Sequence, residues 1–208
     1  MSDYSGEKVD LEVARYGLRT FRALPASQVD AGNRWGFFNS FTRLDILFGT
    51  EPWDPFADNP ADPLTLCSVT MPGSHWADGT CKAECVDDPQ SVSALIKALN
   101  HLGEHEAPGE GCHCGIYATL SLECLNKQYG DSAQHVVAVV AAEGQTIIGT
   151  KGFRTQYARV VAYWCDDRLA KPCARQFRDA RRYLAMSSML RDYGIHNHDP
   201  SRELEQSA

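Results

Sequence analysis

The sequence predicts an α+β domain: a small, mainly antiparallel sheet or half-open barrel with packed helices and a long C-terminal helix. Three observations lead there. Strand-like and helix-like stretches do not alternate regularly, which disfavours a doubly wound parallel sheet. Two apolar runs flank the tight-turn signal Glu143-Gly144 and read as a hairpin. The segment from Lys171-Pro172 to Tyr193 reads as one long helix, with Gly194 as its stop.

The elements follow in order. Residues 14–24 contrast Leu18, Thr20 and Arg22 with Arg19, Phe21 and Ala23, a period of two that suits a strand. The aromatic-rich stretch from Arg34 to Gly49 contains RLDILFG, a second strand. Residues 49–63 carry four prolines and form a loop, because proline blocks both helix and ladder. LTLCSVTM at 64–71 is a short strand. Asp88-Pro89 supplies an N-cap and first-turn pair, and Val92, Leu95, Ile96, Leu99 and Leu102 then share one helical face over about 89–102. A short strand or turn at Gly115-Ile116-Tyr117-Ala118 leads into a helix near 121–129 that ends at Gly130. HVVAVVAA at 135–142 is almost wholly apolar, as a buried strand requires. QTIIGT is its hairpin partner, and RVVAYW at 159–164 is the last strand. The organisation is thus a domain over 1–166 with an inserted helix at about 89–102, a basic helix over 167–194 and a polar tail over 195–208.

Composition narrows the class. The chain has 208 residues, 43% hydrophobic and 23% charged, which is ordinary for a protein with a core. The first residues, SDYSGEKVDLEVARYGL, show no basic start and no apolar h-region. No apolar run reaches the roughly 18 residues that span a bilayer. A cytoplasmic protein without membrane contact is expected. Under reducing conditions its eight cysteines read as metal ligands or buried small hydrophobes rather than disulfides.

Residues 105–118, HEAPGEGCHCGIYA, concentrate His105, Cys112, His113 and Cys114. Zinc takes four nitrogen or sulfur ligands in a tetrahedron, commonly two from each of two loops. Cys112-x-Cys114 supplies one pair, and the Ala-Pro-Gly-Glu-Gly linker lets His105 fold back towards it. The fourth position is open. Cys67 ends a strand, Cys85 precedes the helix, and Cys81-x₃-Cys85 offers an alternative half-site; His113 is a further candidate. Four protein ligands make a structural Zn2+, since a catalytic ion keeps a water position. No H-E-x-x-H and no zinc-deaminase pattern is present.

Two other regions carry chemistry. Lys151, Arg154 and Tyr157 sit in a Gly-flanked segment that suits a phosphate or a base. The competing reading makes Arg154 a loop brace and sends Phe153 and Tyr157 into the core. Net charge is -7, yet residues 168–191 hold seven Lys/Arg against Asp179 alone. Arg175, Arg178 and Arg182 on that stretch form either a partner-binding face or an internal contact with the acidic body. A thiol enzyme needs a Cys beside a His, for which Cys124 and His135 are conceivable. Phosphate-loop and dinucleotide fingerprints are absent from the sequence, so no catalytic residues are assigned.

Several strings occur together: Gly17-Leu18-Arg19-Thr20-Phe21, Gly49-Thr50-Glu51-Pro52-Trp53, Pro63-Leu64-Thr65-Leu66-Cys67, His105 to Ala118, and Gly152-Phe153-Arg154-Thr155-Gln156-Tyr157-Ala158. In this the chain resembles a family of uncharacterised proteins from actinobacteria and their phages, over most of residues 17–165. The resemblance implies Cys67 as the fourth ligand, beside His105, Cys112 and Cys114. The chain departs from that pattern in the long segment between Cys67 and His105 and in the basic C-terminal stretch. The expected function is a zinc-stabilised binding module of phage or actinobacterial origin that engages a nucleic acid or a host protein. The alternatives are a small thiol- or zinc-dependent enzyme and a self-associating structural protein.

Overall fold

The computed structural model describes residues 7–10, 15–27, 29, 58–69, 76–85 and 105–198. The strand expected at RLDILFG and the helix expected over 89–102 lie outside them.

Among the described residues eight strands make a mostly antiparallel sheet: β1 (Glu7–Asp10), β2 (Arg15–Pro25), β3 (Leu64–Ser68), β4 (Thr80–Lys82), β5 (Ile116–Thr119), β6 (Val136–Ile148), β7 (Gly152–Cys165) and β8 (Arg181–Tyr183). The sheet is accompanied by α1 (Leu122–Ala133), α2 (Ala170–Gln176) and α3 (Met186–Asp192). The β6–β7 hairpin is the spine. β6 also pairs with β1 and β2, and β7 with β4, β5 and β8. β2 meets β5 through one residue pair, Leu18 with Thr119, so the strands do not form a clear barrel.

The apolar run in β6 follows from burial on both faces. Val136, Ala138, Val140 and Ala142 join Phe21, Leu66, Trp76, Phe153 and Phe177 in one core. Val137 and Val139 face a second core with Leu18, Leu125, Tyr183, Met189 and Leu190. Each buried Val contributes roughly 1.5–3 kcal/mol relative to exposure.

Glu143-Gly144 is not the hairpin turn. β6 runs through it, and the register shifts between Glu143 and Thr146. Gly144, at φ 72°, makes a bulge, the other use of a left-handed glycine in a strand. Hydroxyls repair the interrupted ladder: Thr155 Oγ1 donates to the Glu143 carbonyl at 2.9 Å and lies 2.7 Å from Thr146 Oγ1. The reversal falls instead between Ile148 and Gly152, where Gly149 N donates to the Gly152 carbonyl at 2.8 Å.

The long C-terminal helix is also replaced. A 3-10 turn (Asp167–Leu169), α2, the parallel strand β8 and α3 share the segment. A continuous helix would extend the stripe of Cys173, Phe177 and Ala180 to Leu184, but Leu184 is 84% exposed and Tyr183 is buried. Two interactions end α2. Phe177 packs at 5.2 Å from Phe21, and the Gln176 amide bonds both the N–H and the carbonyl of Leu66. β8 then satisfies backbone groups along β7 at 162–164.

Gly194 does stop the last helix. At φ 64° it lets Ile195 N reach the Leu190 carbonyl at 2.9 Å and Gly194 N reach that of Arg191, a Schellman ending. The start of the expected tail is docked: His196 and Asn197 carbonyls accept from Leu122 N and Glu123 N, capping the first turn of α1. Among the described residues no helix is long and apolar enough to cross a membrane.

Candidate metal centre

Two segments converge on one end of β7. The first leaves β4, which pairs with β7 at Tyr157 to Arg159. Ala83 N extends that ladder to the Gln156 carbonyl at 2.7 Å, and Cys85 follows two residues later. The second is the loop His105 to Gly115, which enters β5 and so meets β7 at Arg154.

The loop is shaped by residues with little freedom to change. The Ala107-Pro108 peptide is cis. Gly109 allows the His105 ring to lie against the backbone, since a Cβ there would stand 2.2 Å from the imidazole Cδ2. Gly111 and Gly115 adopt φ 72° and 124°, and a Cβ on Gly115 would meet Arg154 at 3.1 Å. Arg154, 6% exposed, donates to the carbonyls of Gly109, Cys112 and Cys114. Its guanidinium is therefore spent on bracing this loop.

The result is a cluster of four soft donors. Cys85 Sγ, His105 Nε2, Cys112 Sγ and Cys114 Sγ all lie within 4.8 Å of one another. Cys85 and Cys112 sulfurs are 3.7 Å apart, and His105 Nε2 is 3.1 Å from Cys114 Sγ. Zn–S bonds of about 2.3 Å place two thiolates on a tetrahedral edge of about 3.8 Å, so the sulfur pair already has that spacing. Gly109 N donates to Cys114 Sγ at 3.2 Å, an outer contact of the kind that orients metal-bound thiolates. These four residues could hold a metal ion.

Thiol acidity agrees with that chemistry. Burial, then the Cys112 hydrogen bond and the neighbouring sulfurs, pushes the Cys85 thiol up to about 12. Burial also raises Cys114, against the lowering effect of the Gly109 N–H. Packed thiols resist ionising beside one another. A divalent cation reverses this, because it binds the thiolates and expels their protons.

The expected ligands thus divide. His105, Cys112 and Cys114 come together, and Cys85, an alternative in the sequence, is the fourth. Cys67 is not in the cluster. It is buried on β3 with its sulfur 3.6 Å from the Arg22 carbonyl, and burial raises its thiol to about 11. The reason is its place on β3: Leu64 and Leu66 face the apolar core, and Cys67, between Leu66 and Ser68, is buried on the opposite face against β2, away from the loop. Cys81 packs at the edge of that core beside the Lys82 carbonyl. His113 is exposed and contributes its carbonyl to the Tyr117 hydroxyl at 2.5 Å. Cys85 was legible as a Cys before a helix and as half of an alternative Cys81-x₃-Cys85 half-site; the β4–β7 pairing that delivers it has no short-range signal.

The proposed partner-binding residues are scattered by the same fold. Arg154 is buried in the loop brace, whereas Tyr157 is 37% exposed with Lys82 over its ring. Lys151 lies in the β6–β7 turn, half-buried. Arg175 pairs with Asp58 and donates to the Leu64 carbonyl, Arg182 pairs with Asp167, and Arg178 turns to the Arg175 carbonyl. Cys124 is buried on α1, and His135 Nδ1 sits 3.5 Å from Asp166.

Beside the cluster lies an open cleft of about 480 Å3, lined by Lys82, Glu84, Cys85, His105, Glu106 and Gln156. Comparison with protein-family models, curated proteins and solved structures gives no match for this chain.

Proposed function

We propose that this protein is a zinc-stabilised binding module. The carrying observation is the convergence of Cys85, His105, Cys112 and Cys114 within 4.8 Å. Four donors fill a tetrahedron, which supports a structural ion over a catalytic one. The ion would join the exit of β4 to the loop before β5, with Arg154 offsetting the excess negative charge of three thiolates and one imidazole. The enzyme alternative finds less support, because the four donors leave no ligand position for water.

The partner we propose is a polypeptide held in the neighbouring cleft. Its walls mix Lys82, Glu84, Glu106 and Gln156, and the Tyr157 ring stands exposed beside Lys82. Mixed charge with an exposed aromatic suits peptide recognition. A nucleic acid would need a cationic surface, and the Arg175 and Arg182 charges are paired internally. The phage or actinobacterial origin implied by the resemblance belongs to this proposal as well.

Elemental analysis of protein purified without added metal tests the ion. One zinc per chain is expected, retained in Cys67→Ser and lost in Cys85→Ser and Cys112→Ser. A zinc-free wild type overturns the reading. Peptide-display selection on the zinc-loaded chain tests the partner: selected peptides should lose at least about tenfold in affinity with Tyr157→Ala and Lys82→Glu combined. Tight, salt-dependent binding of duplex DNA or RNA would replace the polypeptide with a nucleic acid.

A further inference from the structure

The four donors are not equivalent. Cys114 is secured by the Gly109 N–H and faces His105. Cys112 belongs to a fixed loop: its N–H bonds the Gly109 carbonyl at 3.2 Å, and its own carbonyl takes Arg154. Cys85 differs. It lies two residues past Ala83, whose N–H makes the last backbone bond to β7, and β4 itself is three residues long. It also lines the open cleft, so a small solute reaches its sulfur without crossing the core. Its sulfur lies 3.7 Å from that of Cys112. A disulfide needs about 2.05 Å, a closure of under 2 Å that the short segment after Ala83 can supply.

We propose that Cys85 and Cys112 form a hydroperoxide-reactive pair whose oxidation to a disulfide ejects the metal. This rests on the metal reading above. In the first step the Cys85 sulfur attacks one peroxide oxygen. The O–O bond breaks, Cys85 becomes a sulfenic acid, and the departing oxygen leaves as water after taking a proton from solvent. In the second step the Cys112 sulfur attacks the Cys85 sulfur. The S–S bond forms, the S–O bond breaks, and a second proton carries that oxygen away as water. Two sulfurs have given up two electrons, and one hydroperoxide has become two waters (or water and an alcohol). Two of four ligands are gone, and Cys114 with His105 is too small a set to retain zinc. A thiol reductant with added zinc reverses the change.

The test treats the zinc-loaded full chain with hydrogen peroxide. A chromogenic chelator reads zinc release, and peptide mapping after acid quench and alkylation reads the linkage. The expected result is release of the bound zinc together with a Cys85–Cys112 linked peptide, both reversed by dithiothreitol and zinc. Cys85→His keeps a four-ligand set but cannot form the bond, and its peroxide-driven release should fall at least about tenfold. Zinc retained under peroxide, or release accompanied by a Cys112–Cys114 linkage, overturns the proposal. Elemental analysis before peroxide separates the two claims: a zinc-free chain defeats the metal reading. Mapping that same chain still decides whether Cys85 and Cys112 pair.

Discussion

The centre of β6 and the loop from His105 to Gly115 are both ordered, by opposite means. Residues 136–142 are almost fully buried between two apolar cores, and no polar side chain among them needs a partner. Before Ile116 the loop has few apolar anchors, Ala107, Pro108 and part of Cys114. Its order comes from Arg154, from glycines that allow close approach, and from donors suited to a cation. The first region draws on the hydrophobic effect, which any apolar residue of similar volume supplies. The second depends on particular atoms at particular places, so single changes should damage it selectively.

The largest expected effect breaks the first region. Val139→Asp buries a carboxylate between the helices and the sheet, and should cost at least about 4 kcal/mol. The chain should fail to fold with or without zinc, as circular dichroism would show. Next comes Arg154→Met, which leaves the buried Gly109 carbonyl and the half-buried Cys112 and Cys114 carbonyls without their donor. We expect a loss of roughly 3 kcal/mol and a zinc affinity lower by about 10- to 100-fold, read by chelator competition. Arg154→Lys should recover only part, because an ammonium cannot span three carbonyls as the guanidinium fork does.

A pH effect follows on the core side. Cys67 is raised by burial to about 11, above its value in an unfolded chain of about 8.5. The neutral thiol therefore stabilises the fold fully below about pH 8.5, and that contribution is lost as pH rises through 11. It amounts to roughly 3 kcal/mol, and urea titrations of wild type and Cys67→Ala should converge across this window. On the proposed zinc reading, the smallest global change should come from chelation. Amide exchange over residues 109–117 should accelerate at least about tenfold, while residues 136–142 stay within about twofold. Equal acceleration of both regions would show that the loop and the β6 core are one cooperative unit.

The same contrast explains what was legible in the sequence. The apolar run of β6, the strand at Leu18 and Phe21, and the Gly194 stop are local patterns, and the structure has them. His105, Cys112 and Cys114 were visible because they share one loop. Cys85 was visible only as one of several alternatives, since a three-residue strand pairing with β7 sets its position. Glu143-Gly144 has the composition of a turn and forms a bulge, because the flanking strand continues to find partners on β7. The C-terminal segment had helical spacing as far as Ala180, but the open side of β7 and the reach of Gln176 to Leu66 outweighed it.

That Gln176 amide has a consequence for solubility. Among the described residues β3 pairs with β2 alone, and its other side would present bare N–H and carbonyl groups to any passing strand. One side chain occupies the groups at Leu66, and Arg175 covers the carbonyl at Leu64. α2 is thus a guard against intermolecular strand addition. Gln176→Ala would leave the molecule folded but adhesive, with self-association along β3 rising with concentration.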